Sequence, residues 1–404
     1  MKKFLPLILL TFFMACKQAP DQKKIEVPTA EKEEPNGAKA FFADLQAKAL
    51  QEAFKGVMTE KGKEMGLFPI HATGVTTKPI QDAAENLLRV LNAEQLERAK
   101  FPIDDDEWRE WCNVDNGIYV RQGISLKEMD PVQKAAAFDL MQASLSAKGL
   151  ALSKDIMKTD QTLKELNNGS EAYDEELYFF TFMGNPSATE PWGWQLDGHH
   201  LVINYFVLGD QIVMSPVFMG GEPIITTTGK YKGNSLFQDE QNLGLAFMQS
   251  LPVEQQQKAT LSPTKLQDDA QTQAFKDNAV LNYEGLPVAM LSAPHKAALM
   301  QLTGEYINNM REGHQQVKME EIAAHLDNTW FAWVGGTDAD AVFYYRIHSP
   351  VVLIEFDHQR VVGVPNVDHK IPSRNHIHTV VRTPNGNDYG KDLLRQHLEA
   401  DHHQ

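Results

Sequence analysis

Cysteine is nearly absent from this sequence, which holds only Cys16 and Cys112 among 404 residues. Two cysteines allow at most one internal disulfide, and none if Cys16 is modified at a mature N-terminus. The stability of the protein must then come from a buried core. A chain of this length can supply one, as a single large domain or as two closely packed domains.

Several catalytic motifs are also missing. The sequence contains no Gly-x-Ser-x-Gly nucleophile turn, no His-Glu-x-x-His zinc helix, no Gly-x-x-x-x-Gly-Lys phosphate loop and no Cys-x-x-Cys pair. Each of these motifs places a defined chemical group at a defined spacing. Their absence argues against the common serine hydrolase, zinc protease, nucleotide-binding and thiol-redox classes.

Basic residues are fewer than acidic residues in this sequence. Lysine and arginine number 38 against 54 aspartates and glutamates, which gives a formal net charge of -16. An acidic surface repels phosphate groups, and no cluster of basic and aromatic residues offsets this repulsion. We therefore expect no nucleic-acid partner.

The sequence has one marked apolar run, in MKKFLPLILLTFFMAC at its start, and this run is too short to span a bilayer as a helix. Two lysines followed by an apolar stretch are typical of an export signal. Cys16 after a small residue resembles a bacterial lipoprotein cleavage site. We therefore expect residues 1–15 to be a signal peptide and Cys16 to be lipidated, with a soluble secreted protein as the alternative. The expected location is the bacterial cell envelope, with the lipid-anchored protein facing the periplasm or the cell exterior.

The remaining chain divides into a tether and one domain. Residues 16–38 mix charges and prolines with almost no large apolar side chains, which predicts a disordered segment. Apolar residues at helical spacing then predict a helical region over 39–170 and another over 237–327. The intervening β-rich units are 171–236 and 328–404, the second with a C-terminal helix. Together, residues 39–404 are expected to form a single domain.

Both β units contain a hairpin pattern. HLVINYFVL and IVMSPVFM flank a turn at 209–211, and AVFYYRI and VVLIEFDH flank a turn at 348–350. The pattern LNAEQLERAKF recurs about 160 residues later as LPVEQQQKATL, which suggests a helical unit before each β unit. We expect an α+β fold, with a mainly antiparallel sheet built from two hairpin-containing units and helical layers packed around it.

Three segments carry a resemblance to a known family. SATEPWGWQLDGHHLVINY, FYYRIHSPVVLIEFDHQ and HIHTVVRTPNGNDYGKDLL are similar to an uncharacterised bacterial family numbered 3500 among domains of unknown function. The resemblance implies an exported α+β protein. It implies no established activity, so function must be argued from individual residues.

Histidines form the sharpest candidate site. His376 and His378 lie in a β-branched run, where alternation places both on one face with Cα atoms about 7 Å apart. Such a pair can chelate an ion of zinc-like size, or can be two polar residues on an edge strand. His199 and His200 should point to opposite faces, so only one joins a shared site unless a bulge at Gly198 redirects the other.

Charged residues complete the candidate list. Glu190 and Glu355 are candidates for a general base, and Glu355 in mid-strand needs a partner such as Arg346 or a metal. Arg382 shares the face of His376 and could bind an anionic group. Asp388 is expected to cap the final helix.

Two classes of function fit these residues. The first is an exported metal-dependent enzyme, most plausibly a hydrolase acting on a small anionic or carbohydrate-like substrate. It would use a divalent metal ion, with zinc as first choice and iron or copper as alternatives for redox chemistry. Trp192, Trp194 and Arg346 are its expected substrate contacts. The second is a non-enzymatic lipoprotein in which Trp192, Trp194, Trp330 and Trp333 line a cleft for an oligosaccharide or a small molecule. Its other partner is the membrane, through the lipid anchor.

Overall fold

Ten helices and twelve strands form the part of the chain that the computed structural model describes, residues 37–401. The predicted signal peptide, Cys16 and nearly all of the predicted tether lie outside it. The helices are α1 (Gly37–Leu50), α2 (Lys78–Val90), α3 (Ala93–Ala99), α4 (Pro131–Ser144), α5 (Ala147–Leu166), α6 (Gln238–Ser250), α7 (Val253–Ala259), α8 (Ala293–Ile307), α9 (His314–Ala324) and α10 (Lys391–Asp401).

The strands are β1 (Lys100–Phe101), β2 (Ile124–Ser125), β3 (Tyr178–Met183), β4 (Trp192–Gly198), β5 (Leu201–Leu208), β6 (Gln211–Gly221), β7 (Thr260–Ser262), β8 (Leu286–Pro287), β9 (Trp330–Gly335), β10 (Phe343–His348), β11 (Leu353–Arg360) and β12 (Pro372–Arg382). Both predicted hairpins are present, as β5–β6 and β10–β11, and the α+β class is confirmed. The short strands β1, β2, β7 and β8 were not predicted, since two or three residues are too few to show a period.

Local sequence explains where several helices begin. Asn92 and Gln95 form a reciprocal capping box at α3, and Asp130 and Gln133 form another at α4. Ser292 caps α8 by accepting a hydrogen bond from the His295 backbone. These side chains satisfy backbone donors that a helix leaves unpaired at its first turn.

One sheet runs through the whole domain, in the order β1-β3-β4-β5-β6-β12-β11-β10-β9-β7. β1 pairs with β3 in parallel, as β7 does with β9, and the other pairs along this path are antiparallel. β2 adds to β3, and β8 adds to β9. The pairing of β6 with β12 lies at the centre and joins the first half of the chain to the second.

The two halves repeat one order of elements. In the first half α2, α3, β1, β2, α4 and α5 precede β3 to β6, and in the second α6, α7, β7, β8, α8 and α9 precede β9 to β12. Leu91 and Leu251, which begin the repeated sequence pattern, both end a helix with φ -70 and ψ 144. The sequence repeat therefore corresponds to a repeated structural unit.

Both faces of the sheet are covered. On one face, Tyr345 of β10 bonds to the Glu240 backbone of α6 and to Tyr306 of α8. On the other face, the residues between β1 and β2 and those between β7 and β8 lie over the strands, and Arg121 pairs there with Asp197 of β4. Burial from both sides explains why β5 is apolar almost throughout and fully buried. No helix within residues 37–401 is long and apolar enough to cross a membrane.

Candidate metal centre

His199 and His200 form the two-residue turn of the β4–β5 hairpin. Gly198 pairs with Leu201 across this turn, and His200 adopts a left-handed conformation with φ 59. The His200 backbone N–H donates to the Asn113 carbonyl, and its carbonyl accepts from the Gly220 N–H at 2.8 Å. Only His200 joins His376 and His378, but not for the expected reason, because His199 and His200 form a turn and do not point to opposite faces of a strand. No bulge at Gly198 is involved, and the two rings stack with centroids 4.0 Å apart.

His376 and His378 lie on β12 and point to the same face, as their spacing predicts. His378 pairs with Gly220 of β6, and Ile377 pairs with Gly221. The β4–β5 turn, the end of β6 and the start of β12 thus meet at one end of the sheet. Residues from both halves of the chain contribute to this site.

The three imidazoles of His200, His376 and His378 converge on one point through their Nε2 atoms. The Nε2 atom of His376 lies 3.1 Å from that of His200 and 2.9 Å from that of His378. One ligand atom from each residue can be chosen so that all three lie within 4.8 Å of one another. Tetrahedral zinc with nitrogen ligands at roughly 2.0–2.1 Å places those nitrogens about 3.3 Å apart. The residues present therefore fit a divalent ion.

Gly220 makes this approach of the rings possible. A Cβ atom at this position would lie 3.1 Å from Cδ2 of His378 and 3.2 Å from Cδ2 of His200. It would also lie 2.8 Å from the Ile377 carbonyl oxygen. Only glycine leaves both imidazoles in place, because any side chain would wedge between them.

Two acceptors near His376 fix its orientation. Its Nδ1 lies 2.6 Å from the Arg360 carbonyl oxygen and 3.3 Å from Oε2 of Glu222. A carbonyl can only accept, so Nδ1 carries the proton and Nε2 presents a lone pair. Glu222 is itself held by the backbone N–H groups of residues 362–364, at 2.7–3.1 Å. A carbonyl or carboxylate behind a metal-binding histidine is a common arrangement.

The environment keeps the three rings neutral. Burial lowers the pKa of His200 and of His378 well below the usual value, and the neighbouring histidines lower each further. Burial also lowers the pKa of His376, although Glu222 partly offsets it. A metal ion needs unprotonated imidazole, so the form that binds metal is the one present at neutral pH.

Two buried nitrogen atoms of the cluster lack partners. Nδ1 of His200 and Nδ1 of His378 make no hydrogen bond within the described part of the chain. Without a cation, the Nε2 atoms of His200 and His378 either compete for the single lone pair of His376 or face it with lone pairs of their own. A cation among the Nε2 atoms removes that competition, because all three lone pairs then bind it and the ring protons lie at Nδ1.

His199 belongs to a different pair. Its Nδ1 lies 2.5 Å from Oδ1 of Asp160, and Tyr178 donates to the other carboxylate oxygen. Burial lowers the pKa of His199, but Asp160 more than offsets this and raises the pKa above its usual value. The His199 ring stacks on that of His200 with centroids 4.0 Å apart. His199 is therefore a neighbour of the metal centre and not one of the three converging ligands.

Glu190 and the two predicted tryptophan contacts lie elsewhere. Glu190 is exposed beyond the far end of β4, where it pairs with His397 at 3.5 Å. Trp192 and Trp194 are completely buried, and Trp194 stacks on Phe180 and Tyr205. The predicted roles of these three residues at a shared site are wrong, because strand β4 separates Glu190 from His200 and the tryptophan rings belong to the core.

The predicted tryptophan-lined cleft is also absent from the described residues. Trp333 is fully buried, and only Trp330 retains partial exposure, with its ring stacked on Tyr283 at 4.3 Å. Six strand positions separate β4 from β9 in the sheet. The four rings cannot line one cleft, so this version of the ligand-binding alternative is wrong.

Glu355 is buried and partnered, as predicted, but by neither a metal nor Arg346. It accepts hydrogen bonds from the Gln271 and Thr272 backbone, from the Thr272 hydroxyl and from Tyr344. Arg346 instead pairs with Glu284. Glu355 anchors the segment between β7 and β8, so its acceptor positions are taken and a role as general base is not supported.

Arg382 is also structural. Its guanidinium is completely buried and binds Asp277, Asp388 and the backbone carbonyls of Thr272 and Gln273. It lies four residues beyond His378 on β12, roughly 13 Å along the strand. The predicted binding of a substrate anion is wrong, because two carboxylates already occupy the guanidinium. Asp388 does not cap α10 but accepts from Arg382 and from the Thr383 backbone.

Sequence reasoning did not assign three residues that support the candidate centre: Gly220, Glu222 and Asp160. Gly220 and Glu222 carry a weak signal, since a Gly-Gly-Glu sequence ends a strand that pairs with the histidine strand. Asp160 lies in the middle of α5, where nothing in the sequence distinguishes it from a solvent-facing aspartate.

Comparisons with known proteins give a family but no activity. A family model described as "Protein of unknown function (DUF3500)" matches residues 73–391. This range includes all three converging histidines and Gly220, so the resemblance inferred from the motifs is confirmed. No curated protein and no solved structure matches the chain.

The Gly220 contact gives a test of the site. Gly220→Ala is expected to weaken zinc binding about 10- to 100-fold, because the added methyl group forces the His200 and His378 rings apart. Zinc affinity would be measured by competition with a chromogenic chelator. Gly336→Ala is the control, because the nearest atom to its added Cβ lies 3.3 Å away in an aspartate side chain far from the histidines in the sheet. Equal affinities in both variants would contradict this role of Gly220.

Proposed function

We propose that this chain, which belongs to the DUF3500 family, is a metalloprotein that holds a divalent transition-metal ion on His200, His376 and His378. The observation that carries the proposal is the convergence of three buried Nε2 atoms from two distant parts of the chain. Zinc is the first choice because neutral imidazole suits it well. Iron and copper accept the same ligands, so metal analysis decides the identity.

The number of protein ligands favours a catalytic metal site over a purely structural one. Structural zinc sites have four protein ligands, whereas catalytic sites keep three and leave a position for water or substrate. Three ligand residues converge here among residues 37–401. A divalent ion in such a site supplies Lewis acidity and lowers the pKa of water, which is the chemistry of hydrolysis.

In the proposed chemistry, His199 and Asp160 provide the proton transfer. Asp160 accepts the Nδ1 proton of His199, so the neutral form of the His199 ring presents a lone pair at Nε2. This nitrogen has no hydrogen-bond partner in the described structure, and the His199 side chain is 9% exposed. We propose that His199 takes a proton from the attacking water at Nε2 and returns it to the leaving group, while Asp160 holds the ring. The reaction class is hydrolysis of a small substrate.

The proposed cellular location rests on the N-terminal segment. Residues 1–15 as a signal peptide and lipid on Cys16 would anchor the domain to a bacterial cell envelope. An oligosaccharide or another small molecule of that compartment is then the proposed partner.

Metal content tests the first part of the proposal. Protein purified without a metal-affinity tag should carry about one ion per chain by elemental analysis, and the double variant His376→Ala, His378→Ala should carry none. His295→Ala, His325→Ala is the matched control, since neither residue belongs to the cluster. Zinc at about 1,000 times its Kd should raise the unfolding free energy by about 4 kcal/mol. Absence of bound metal together with no response of stability to zinc, iron or copper would refute the metal site.

Hydrolysis tests the second part. His199→Gln should retain the metal, because His199 is not a converging ligand, but should lower kcat about 100- to 10,000-fold on any ester or phosphoester that the unmodified protein cleaves. A panel of p-nitrophenyl esters and phosphates provides the assay, with metal content measured in parallel. A variant that keeps both metal and full activity would remove His199 from the mechanism.

The anchor is tested separately. Mass spectrometry of the protein made in a bacterial host should show residues 1–15 removed and a lipid mass on Cys16. Cys16→Ser should release the protein from membrane fractions, whereas Cys112→Ser, in which the buried thiol is changed, should not. An unmodified Cys16 in membrane-bound protein would contradict lipid anchoring.

A further inference from the structure

An open cavity lies at the end of the sheet where β10 turns into β11. Its volume is about 720 Å³, which is within the range of small-molecule sites. One wall is the segment 59–64, and the remaining walls are Asn282 and Tyr283 before β8, Asn328 and Trp330 around the start of β9, Pro350 in the β10–β11 turn, and Asn385 after β12.

This cavity is separate from the histidine cluster. Trp330 of β9 lies in register with His348 of β10, and the same row continues through Leu353 of β11 to Arg382 of β12. Trp330 is thus three strands away from Arg382, roughly 14 Å across the sheet. Arg382 lies a further four residues, roughly 13 Å, along β12 from His378. A small ligand in the cavity therefore does not reach the imidazoles.

Trp330 provides the aromatic surface of the cavity. It retains partial exposure, whereas the other five tryptophans are buried. Its ring stacks on Tyr283 with centroids 4.3 Å and planes 13° apart, and Tyr283 packs in turn against His348 at 4.5 Å. No second aromatic ring among residues 37–401 stacks on Trp330. The Trp330 ring is therefore held in place at the cavity wall.

The first half of the chain shows that the repeated unit does not require this exposure. Tyr178 is the first residue of β3, as Trp330 is the first residue of β9. Tyr178 is completely buried, and its hydroxyl bonds to Asp160. The repeated unit can thus cover an aromatic ring at this position, but the second half leaves a larger ring open to a cavity.

The charged side chains around Trp330 balance one another. Lys61 and Lys63 are matched by Glu60 and Glu64. Burial and the Glu64 carboxylate raise the pKa of Tyr283 to about 12, so its hydroxyl is neutral at physiological pH. An ion of either sign gains little net attraction from such a lining.

The same lining offers hydrogen-bonding groups that the protein does not use. The side chains of Glu60, Lys61 and Asn328 make no hydrogen bond or ion pair within the part of the chain that the structure describes. Oδ1 of Asn282 accepts from the Glu60 backbone at 3.1 Å, which leaves the amide nitrogen as a donor. Donors and acceptors thus lie side by side. A hydroxyl group both donates and accepts, so a ligand with several hydroxyl groups matches this lining.

Backbone hydrogen bonds hold the N-terminal wall of the cavity in place. The Gly62 N–H donates to the Thr59 carbonyl at 2.9 Å, and the Glu64 N–H donates to Oδ1 of Asn385 at 3.0 Å. Asn385 is itself fixed, because its side-chain nitrogen donates to the Pro350 carbonyl at 2.9 Å. A preformed wall lowers the ordering cost of binding.

We propose that this cavity binds a neutral sugar, one ring of which lies against Trp330 while its hydroxyl groups bond to Glu60, Lys61 and Asn328. A sugar ring has apolar C–H faces and a rim of hydroxyl groups, which suits an aromatic surface surrounded by donors and acceptors. A hydrocarbon of the same size would leave the polar groups unmatched. The site does not rest on the metal centre.

Neutral oligosaccharides are the probes for this site: the β-1,4-linked tetramers of glucose, mannose and N-acetylglucosamine. Isothermal titration calorimetry should give a Kd of about 1 mM or tighter for at least one of them. The affinity should change by less than about twofold between low and high salt, because no net charge takes part. Tryptophan fluorescence should change on binding, since Trp330 lines the cavity.

Substitutions locate the sugar. Trp330→Ala should weaken binding about tenfold or more, whereas Trp330→Phe should keep part of the affinity. Asn328→Ala should weaken it about threefold to tenfold through one lost hydrogen bond. Phe41→Ala is the control, because Phe41 is an exposed aromatic residue of α1 that does not line the cavity, and its loss should leave the affinity unchanged.

Two arrangements keep the test decisive. If thermal unfolding shows that Trp330→Ala does not fold, the exposed Asn328→Ala variant takes its place. Treatment with a metal chelator should leave sugar binding unchanged, and a loss of binding would assign the sugar to the histidine cluster instead. The proposal is overturned by that loss, by the failure of all three tetramers to bind the unmodified protein, or by unchanged affinity in the Trp330→Ala or substitute variant.

Discussion

The antiparallel pairing of β6 with β12 connects the two halves of the molecule at the centre of the sheet. Its register places Gly220 opposite His378 and Gly221 opposite Ile377. Side chains alternate with period two along a strand, so a slip of one residue would turn both β12 histidines to the face that the helices cover. The histidine cluster depends on this register, and so does the continuity of the core across the two halves.

The two halves repeat their elements, but they do not repeat the site. At the end of the sheet with the β4–β5 turn, three imidazoles converge beside Glu222. At the other end, β12 finishes with Arg382 and Thr383, and the buried charges there are Arg382, Asp277 and Asp388. Both ends thus bury polar groups beneath long connecting segments. One end satisfies them with ion pairs, whereas the other brings three Nε2 atoms together and leaves Nδ1 of His200 and of His378 without partners within the described residues. That difference supports a ligand-binding role for the histidine end.

Two buried charged residues that the sequence offered as candidates for chemistry have structural roles instead. Glu355 and Arg382 looked like candidates for chemistry, because a charge in an apolar strand needs an explanation. Each is explained by partners that hold the segment between β7 and β8 over the sheet. An uncompensated charge there would cost several kcal/mol, so these residues stabilise the covering segments.

The sequence alone determined the α+β class, both long hairpins, the repeated helical unit and the pairing of His376 with His378 on one face. These follow from local periodicity and turn residues, which act over a few positions. The tertiary structure decided which of His199 and His200 joins the cluster, because the tight turn directs His200 toward β12 and Asp160 of a distant helix binds His199. It also decided against Glu190, Arg382 and the tryptophans. Several of their partners lie tens to hundreds of residues away in the chain, and no local pattern encodes a contact that exists only once the strands have paired.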